Sequence, residues 1–457
     1  MYKLAVMGCQ HLGYAQKGMN RTIDGVNMRE VDGYIAHNQI IDAALAEGVD
    51  GIFDGGDLSH VEHPSNRTIN EAIKADNKRV EALGSTGEPV WRITNGGNHD
   101  NGASAHLSAV SHIHRSHLGS RAVFPEDDKP TAEQIGPYPG FYEVHQPDPN
   151  LDLYLHVVSH NGLDPKLAER GITIDPQPIE GAVNLLFSHG IFSADGRLFG
   201  AEDRHGALRV IPEEWANRGF DQLLLSDYHT PGPIPGFGED GGRQRGQVWM
   251  TGSAVRRGFS DEESPRGWLL VTLHDDGRIT VELRTIWQRP QVEFPPIDAR
   301  TMSAENIDEL VRDRLAKQDM WDEESAQLTG DGGYILRQRI THTTPHQRRV
   351  LASSRREWAA AAHDAAYWSA DYTKPLSVTV DERHQDNDEE DNTDEGRFAS
   401  HIAKAPQSRN LEKAFQKRRE TGQVGATLRT LAMNDRKIHD EVVSRVAETL
   451  TGINSTT

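Results

Sequence analysis

The chain has 457 residues, 36% of them apolar, 42 glycines and a formal charge of -20. That is room for about three domains at roughly 150 residues each, which excludes a small stapled scaffold, and so acidic a chain can meet a polyanion only through a local basic patch. A single cysteine excludes an internal disulfide. With no run of 18 apolar residues and no signal-type start, it points to a soluble cytoplasmic protein with no membrane partner.

Lys3 to Met7 reads as a short strand ending at Gly8, and Val31 to Glu47 places Ile35, Ile41, Ala44 and Leu45 at helical spacing. Val49 to Phe53 is the next strand. Strand, loop, helix, strand is the α/β order, in which polar residues just past the strand ends line a shared crevice. Val90 to Thr94, Leu153 to Val158, Val183 to Phe187 and Gln222 to Leu225 repeat the pattern. Gln247 to Thr251, Trp268 to Leu273 and Ile279 to Ile286 read as antiparallel strands, with Asp275-Asp276-Gly277 as a hairpin turn and a boundary near Arg289-Pro290.

Ser303 is placed to cap a helix whose Ile307, Leu310, Val311 and Leu315 share one face, and Tyr334 to Ile340 alternates as a half-buried strand does. Arg348, Arg349, Arg355 and Arg356 form a basic cluster read by default as a solvated helix face, and the alanine-rich stretch from Trp358 to Trp368 reads as a packed helix. Residues 381–395 hold nine acids and one base and read as a solvated linker. Beyond it, Leu431, Ile438, Val442, Val446 and Leu450 make an amphipathic stripe that needs either a partner or its own body to cover it.

Five clusters follow five of the strands: Cys9-Gln10-His11, Gly56-Asp57, Gly97-Asn98-His99-Asp100, Ser188-His189-Gly190 and Ser226-Asp227-Tyr228-His229. Taken singly, a Gly-Asp or His-Gly pair is ordinary turn chemistry. Together Cys9, His11, Asp57, Asn98, His189, Asp227 and His229 supply the N, O and S ligands that two metal ions need to generate hydroxide and clamp a phosphoester.

This order resembles the calcineurin-like metallophosphoesterases, whose motifs run D-x-H, G-D, G-N-H-D/E, H and G-H-x-H. It is more closely similar to the SbcD-type nuclease subunit of DNA double-strand-break repair. His11-Leu12-Gly13-Tyr14 resembles that family's H-L-G-Y/F, and Gly56-Asp57-Leu58-Ser59-His60 its G-D-L-F-H/D. Thr251-Gly252-Ser253, through Arg256 to Phe259, Glu262 and Gly267-Trp268, is similar to its Y-x-G-S segment; the resemblance covers residues 1–345.

The resemblance implies an α/β fold, a two-sheet β-sandwich flanked by helices. It divides the chain into a nuclease domain over 1–290, a small α/β capping, DNA-binding domain over 291–375, an acidic linker over 376–396 and a helical partner-binding tail over 397–457. It further implies one metal on Cys9, His11, Asp57 and His229 and another on Asp57, Asn98, His189 and Asp227, with Asp57 bridging. His99 then contacts the scissile phosphate, and Asp100 is expected to orient it.

Cys9 and Asp227 depart from the family pattern, yet both are residue types that can still ligate a metal. Manganese is the expected metal, and the softer thiolate admits zinc or iron. The implied activity is hydrolysis of DNA ends or hairpins in a bacterial cell, or in an infected host if phage-encoded. The implied partners are DNA, a second copy of the chain and an SbcC-like coiled-coil ATPase held by the tail. A small-nucleotide phosphodiesterase and a catalytically decayed DNA-end-binding scaffold are the alternatives.

Overall fold

A computed structural model describes residues 1–372 apart from 17, 20, 62, 101–133, 195–196, 201–208, 238–246, 260 and 262. The chain divides into Met1–Pro375 and Leu376–Thr457. The acidic segment, the tail stripe from Leu431 to Leu450 and Glu262 lie outside the described residues.

The first part of the chain alternates β1 (Tyr2–Met7), α1 (Met28–Ala46), β2 (Gly51–Asp54), α2 (Asn66–Val80) and β3 (Trp91–Thr94). It continues through β4 (Tyr142–His145), β5 (Leu153–Val158), β6 (Val183–His189), β7 (Gln222–Ser226), β8 (Gly232–Pro233) and β9 (Gln247–Met250), then β10 (Gly267–Leu273) and β11 (Ile279–Thr285). Two sheets result, ordered β11-β10-β1-β2-β3 and β8-β9-β7-β6-β5-β4.

Side chains alternate between the faces of a strand, so each sheet faces two ways. From β1, Leu4 and Val6 point between the sheets with Phe53 and Ile93, opposite Leu155, Val157, Leu185, Phe187 and Leu224. The rings of Phe53 and Phe187 stack there, 3.7 Å between centroids. Ala5 and Met7 face the other way, against Ile40, Ile41 and Ala44 of α1. Burial on both faces is why these strands read as unbroken apolar runs. The outer face of the second sheet packs on a small sheet (Ile191–Ala194, Arg197–Phe199 and Val210–Ile211) and on Trp215, Ala216 and Phe220.

β1, β2 and β3 are mutually parallel, as are β5, β6, β7 and β9. The Gln247 strand was expected to be antiparallel; it runs parallel to β7 because the two-residue β8 lies antiparallel to β9 and takes up the reversal between them. β10 and β11 are antiparallel around the Asp275 turn as expected, where His274 N donates to Arg278 O at 2.9 Å.

The last part is β12 (Gln291–Asp298), α3 (Ala304–Lys317), α4 (Glu323–Thr329), β13 (Ile335–Thr341), α5 (Pro345–Ala361) and β14 (Tyr367–Tyr372), in a parallel sheet β12-β13-β14. Ser303 caps α3 by accepting from Asn306 N, and Thr344 opens α5 with a capping box. The expected helix from Trp358 to Trp368 is instead two elements: Trp358 sits buried in α5 and donates to Asp308 Oδ1 at 2.7 Å, while Trp368 lies on β14. Ala366 N turns the chain into that strand by donating to Tyr334 O at 2.8 Å. Among the described residues no helix is long and apolar enough to cross a membrane.

Candidate metal centre

Because the central strands of both sheets are parallel, their C-terminal ends meet along one rim. β1 delivers Cys9 and His11, β2 Asp57, β3 Asn98, His99 and Asp100, β6 His189, and β7 Asp227 and His229. The structure therefore brings all nine sequence-predicted residues to one place. Three of the five non-glycine residues at positive φ among the described residues are His11 (46°), Asp57 (54°) and Asp227 (98°). Left-handed backbone at a bulky side chain is strained and collects at functional sites; here it turns ligand atoms inward.

Asp57 is the centre. Its Oδ2 lies 3.6 Å from His11 Nε2 and 3.5 Å from His189 Nε2, and its Oδ1 accepts from His99 N at 2.8 Å. The turn carrying Asn98 approaches so closely that a Cβ on Gly97 would collide with Asp57 Oδ1, so that position has no room for a side chain. Burial alone would raise Asp57; His189, His11 and His99 outweigh it and hold the carboxyl well below its ordinary range.

On one side, His189 Nε2 faces Asn98 Oδ1 at 3.1 Å and Asp227 Oδ1 at 3.8 Å as well as Asp57, while Nδ1 stands 2.8 Å from Gly55 O. The carbonyl fixes the tautomer: Nδ1 donates, and Nε2 joins three oxygens that can only accept a cation. Against the opposing effect of burial, Asp57 and Asp227 raise His189 to about 9.

On the other side, His11 Nε2 and His229 Nε2 lie 3.3 Å apart, and His229 Nδ1 is 3.3 Å from Asp261 Oδ1, the same arrangement with a carboxylate as the outer partner. The Cys9 thiol completes this half; burial first, then Asp57 and Asp227, push it well above its usual value. Burial and the nearby Arg257 hold His11 well below its ordinary value. The ligand atoms of Cys9, His11 and His229, of Cys9, Asp57 and His189, and of His11, His60 and His99 fall in groups within 4.8 Å of one another. Buried acceptors gathered this tightly fit divalent ions, which would replace the protons now shared among them.

Asp100 was expected to orient His99. Its Oδ2 accepts from Asp57 N at 2.6 Å and Gly97 N at 3.1 Å, so it braces the two ligand turns, and the His60 carbonyl, 2.5 Å from His99 Nδ1, sets the imidazole. Burial, then Asp57 and Asp54, raise Asp100 to about 7.

The sequence reading left three neighbours out. His60, given no role there beyond closing the Gly56-to-His60 segment, stacks on His99 with ring centroids 5.2 Å apart. Arg257 and Asp261 both touch His229, and their only signal was their place beside the Gly252-Ser253 segment.

No family model matches the chain, and no curated protein matches it. Among solved structures it is similar over 62% of its length to a purple acid phosphatase isolated from yellow lupin (Lupinus luteus) seeds, at 11% identity and a TM-score of 0.35, and the match spans 51% of that chain, about half. It is also similar over 62% of its length to the protein TT1561 of Thermus thermophilus, at 9% identity and a TM-score of 0.32, covering 98% of that chain.

Proposed function

We propose that the chain is a metal-dependent phosphodiesterase acting on DNA ends or hairpins, the nuclease subunit of an SbcCD-like complex. The observation that carries this reading is the convergence of His189 Nε2, Asn98 Oδ1, Asp57 Oδ2 and Asp227 Oδ1, beside the paired Nε2 atoms of His11 and His229, on a rim shared by two sheets. Two divalent ions are proposed there, one on Cys9, His11, Asp57 and His229 and the other on Asp57, Asn98, His189 and Asp227, with manganese preferred and zinc or iron admitted by Cys9. Such ions supply an activated water and neutralise charge on a phosphoester.

The protein's own part is to hold and to give protons. Gly55 O and Asp261 keep the Nδ1 protons of His189 and His229, leaving both Nε2 atoms as ligands. The His60 carbonyl holds Nδ1 of His99, so Nε2 is the atom of that ring that would act on the leaving oxygen. Asp100 holds the Asp57 and Gly97 backbones in register while this happens.

The tail over 397–457 is proposed to grip a coiled-coil ATPase through its apolar stripe, and the protein to work as a soluble cytoplasmic dimer. The test loads chelator-stripped protein with manganese, zinc or iron and offers a labelled hairpin DNA beside a small chromogenic diester. The expected result is about two ions per chain, hairpin cleavage, loss of both in Asp57→Ala, and loss of about a hundredfold in cleavage with full metal in His99→Ala. Cleavage of the diester alone would support a small-nucleotide enzyme. DNA binding without hydrolysis would leave a scaffold.

A further inference from the structure

Two adjacent arginines lie beside the site and use their donors differently. Arg256 gives Nε to Asp261 O at 3.2 Å and Nη1 to Gln291 O at 3.4 Å, pinning its own segment to the start of β12. Arg257 gives its backbone N–H to Asp261 Oδ2 at 2.9 Å, while its Nη2 reaches His229, 2.8 Å from Nε2 and 3.2 Å from Nδ1. Among the described residues, its guanidinium makes no ion pair with any carboxylate. Its charge is nevertheless felt at Cys9, His11, Tyr14, His60 and His229, and at the Asp261 carboxylate.

A half-buried cation bonded only to an imidazole is an unusual use of a fork that matches carboxylate and phosphate geometry. The atom it holds, His229 Nε2, is also the one assigned above as a metal ligand, and one lone pair cannot serve both. A divalent ion at that atom also repels a guanidinium, since like charges a few ångströms apart in a poorly solvated site interact strongly. An anionic diester beside both relieves the repulsion.

We propose that Arg257 is the substrate-phosphate residue of this site, and that in the metal-free chain it occupies His229 Nε2 in competition with the metal. The inference rests on the metal-site reading above and deepens it by naming the residue that recognises the phosphodiester. Asp261 links the two roles, accepting from the Arg257 backbone with one oxygen and lying against His229 Nδ1 with the other, so the loop stays in place when the guanidinium leaves.

The test uses the full chain, stripped of metal, as wild type, Arg257→Ala and Arg257→Lys. Calorimetric titration with manganese alone and with zinc alone is expected to show tighter binding in Arg257→Ala by about tenfold, the equivalent of one charge-assisted hydrogen bond of about 1.4 kcal/mol. Titration of the metal-loaded forms with inorganic phosphate is expected to show the opposite order, with Arg257→Ala weakened at least tenfold and Arg257→Lys in between. Both are binding measurements and need no turnover. If Arg257→Ala and Arg257→Lys match wild type within twofold in both titrations, Arg257 only braces its loop and the proposal is wrong. Tighter metal binding with unchanged phosphate affinity would overturn the phosphate role. If wild type itself binds neither metal, the metal-site reading fails first and this inference falls with it.

Discussion

Cys9 has no exposed surface, and in the metal-free chain its thiol is held protonated by burial and by Asp57 and Asp227. A thiol in that state is inert to alkylation with or without metal, so reagent protection cannot report ligation here. Metal preference can. A thiolate favours soft, tetrahedral ions, and a carboxylate in its place favours hard ones. Cobalt-loaded wild type should therefore show a thiolate-to-cobalt charge-transfer band that Cys9→Asp lacks, and Cys9→Asp should lose about tenfold or more in zinc affinity relative to manganese. An unchanged spectrum and metal order would make Cys9 a bystander. At this scale the residues that gather at the rim were legible in the sequence because each follows an apolar run and is a metal-competent type. Arg257, Asp261 and the His60 carbonyl were not, since each acts on a ring nitrogen of His229 or His99, and only the fold says which nitrogen that is.

Strand positions were legible for the same reason, whereas strand direction was not: the parallel run of β9 depends on a two-residue strand, Gly232–Pro233, too short to leave a pattern. α1 shows the other limit of pattern reading. Its apolar spacing gave the helix, yet the helix also buries Arg29, Asp32 and His37, which a polarity pattern assigns to solvent. His37 Nδ1 stands 3.0 Å from Gln10 Oε1, and Gln10 Nε2 donates to Gly8 O at 2.7 Å, so the helix is bonded to the strand end that carries Cys9. Burial first, then Arg92, lower His37 from 6.5 to about 3. Folded His37 thus stays neutral while the unfolded chain takes up its proton below pH 6.5, and the stability it contributes above that pH is lost as pH falls toward 3. At about 1.4 kcal/mol per pH unit, the loss by pH 5 is about 2 kcal/mol. Denaturant titrations at pH 7.5 and pH 5 should show His37→Gln losing about that much less than wild type over the interval. An equal loss in both would mean that His37 titrates normally.

At the scale of the whole described unit, the boundary near Arg289-Pro290 reads as a seam in the sequence but is a buried junction in the fold. Arg289 meets Asp32 of α1 with Nε at 3.0 and 3.1 Å and Nη2 at 2.9 Å, and reaches the turn before β13 with Nη1 to Asp331 O at 2.7 Å and Gly333 O at 3.0 Å. Arg29 takes the same carboxylate from the other side, Nη1 to Asp32 Oδ2 at 2.6 Å, and also bonds the carbonyl of Arg256. One buried carboxylate therefore holds two buried guanidiniums and ties α1, the Arg256-Arg257 segment and the β12–β14 part of the chain together. Breaking a buried ion pair by removing one partner costs about 3–5 kcal/mol because the remaining charge is stranded, whereas the intact pair adds little net stability. Asp32→Ala strands two charges, so it should lower stability by at least that much. Because the junction is shared, calorimetry should show residues 1–372 unfolding in one transition in the wild type and in one, cooler transition in the variant. A variant in which the β12–β14 part melts early while the sandwich keeps its wild-type melting temperature would show that Asp32 merely fastens two independent bodies.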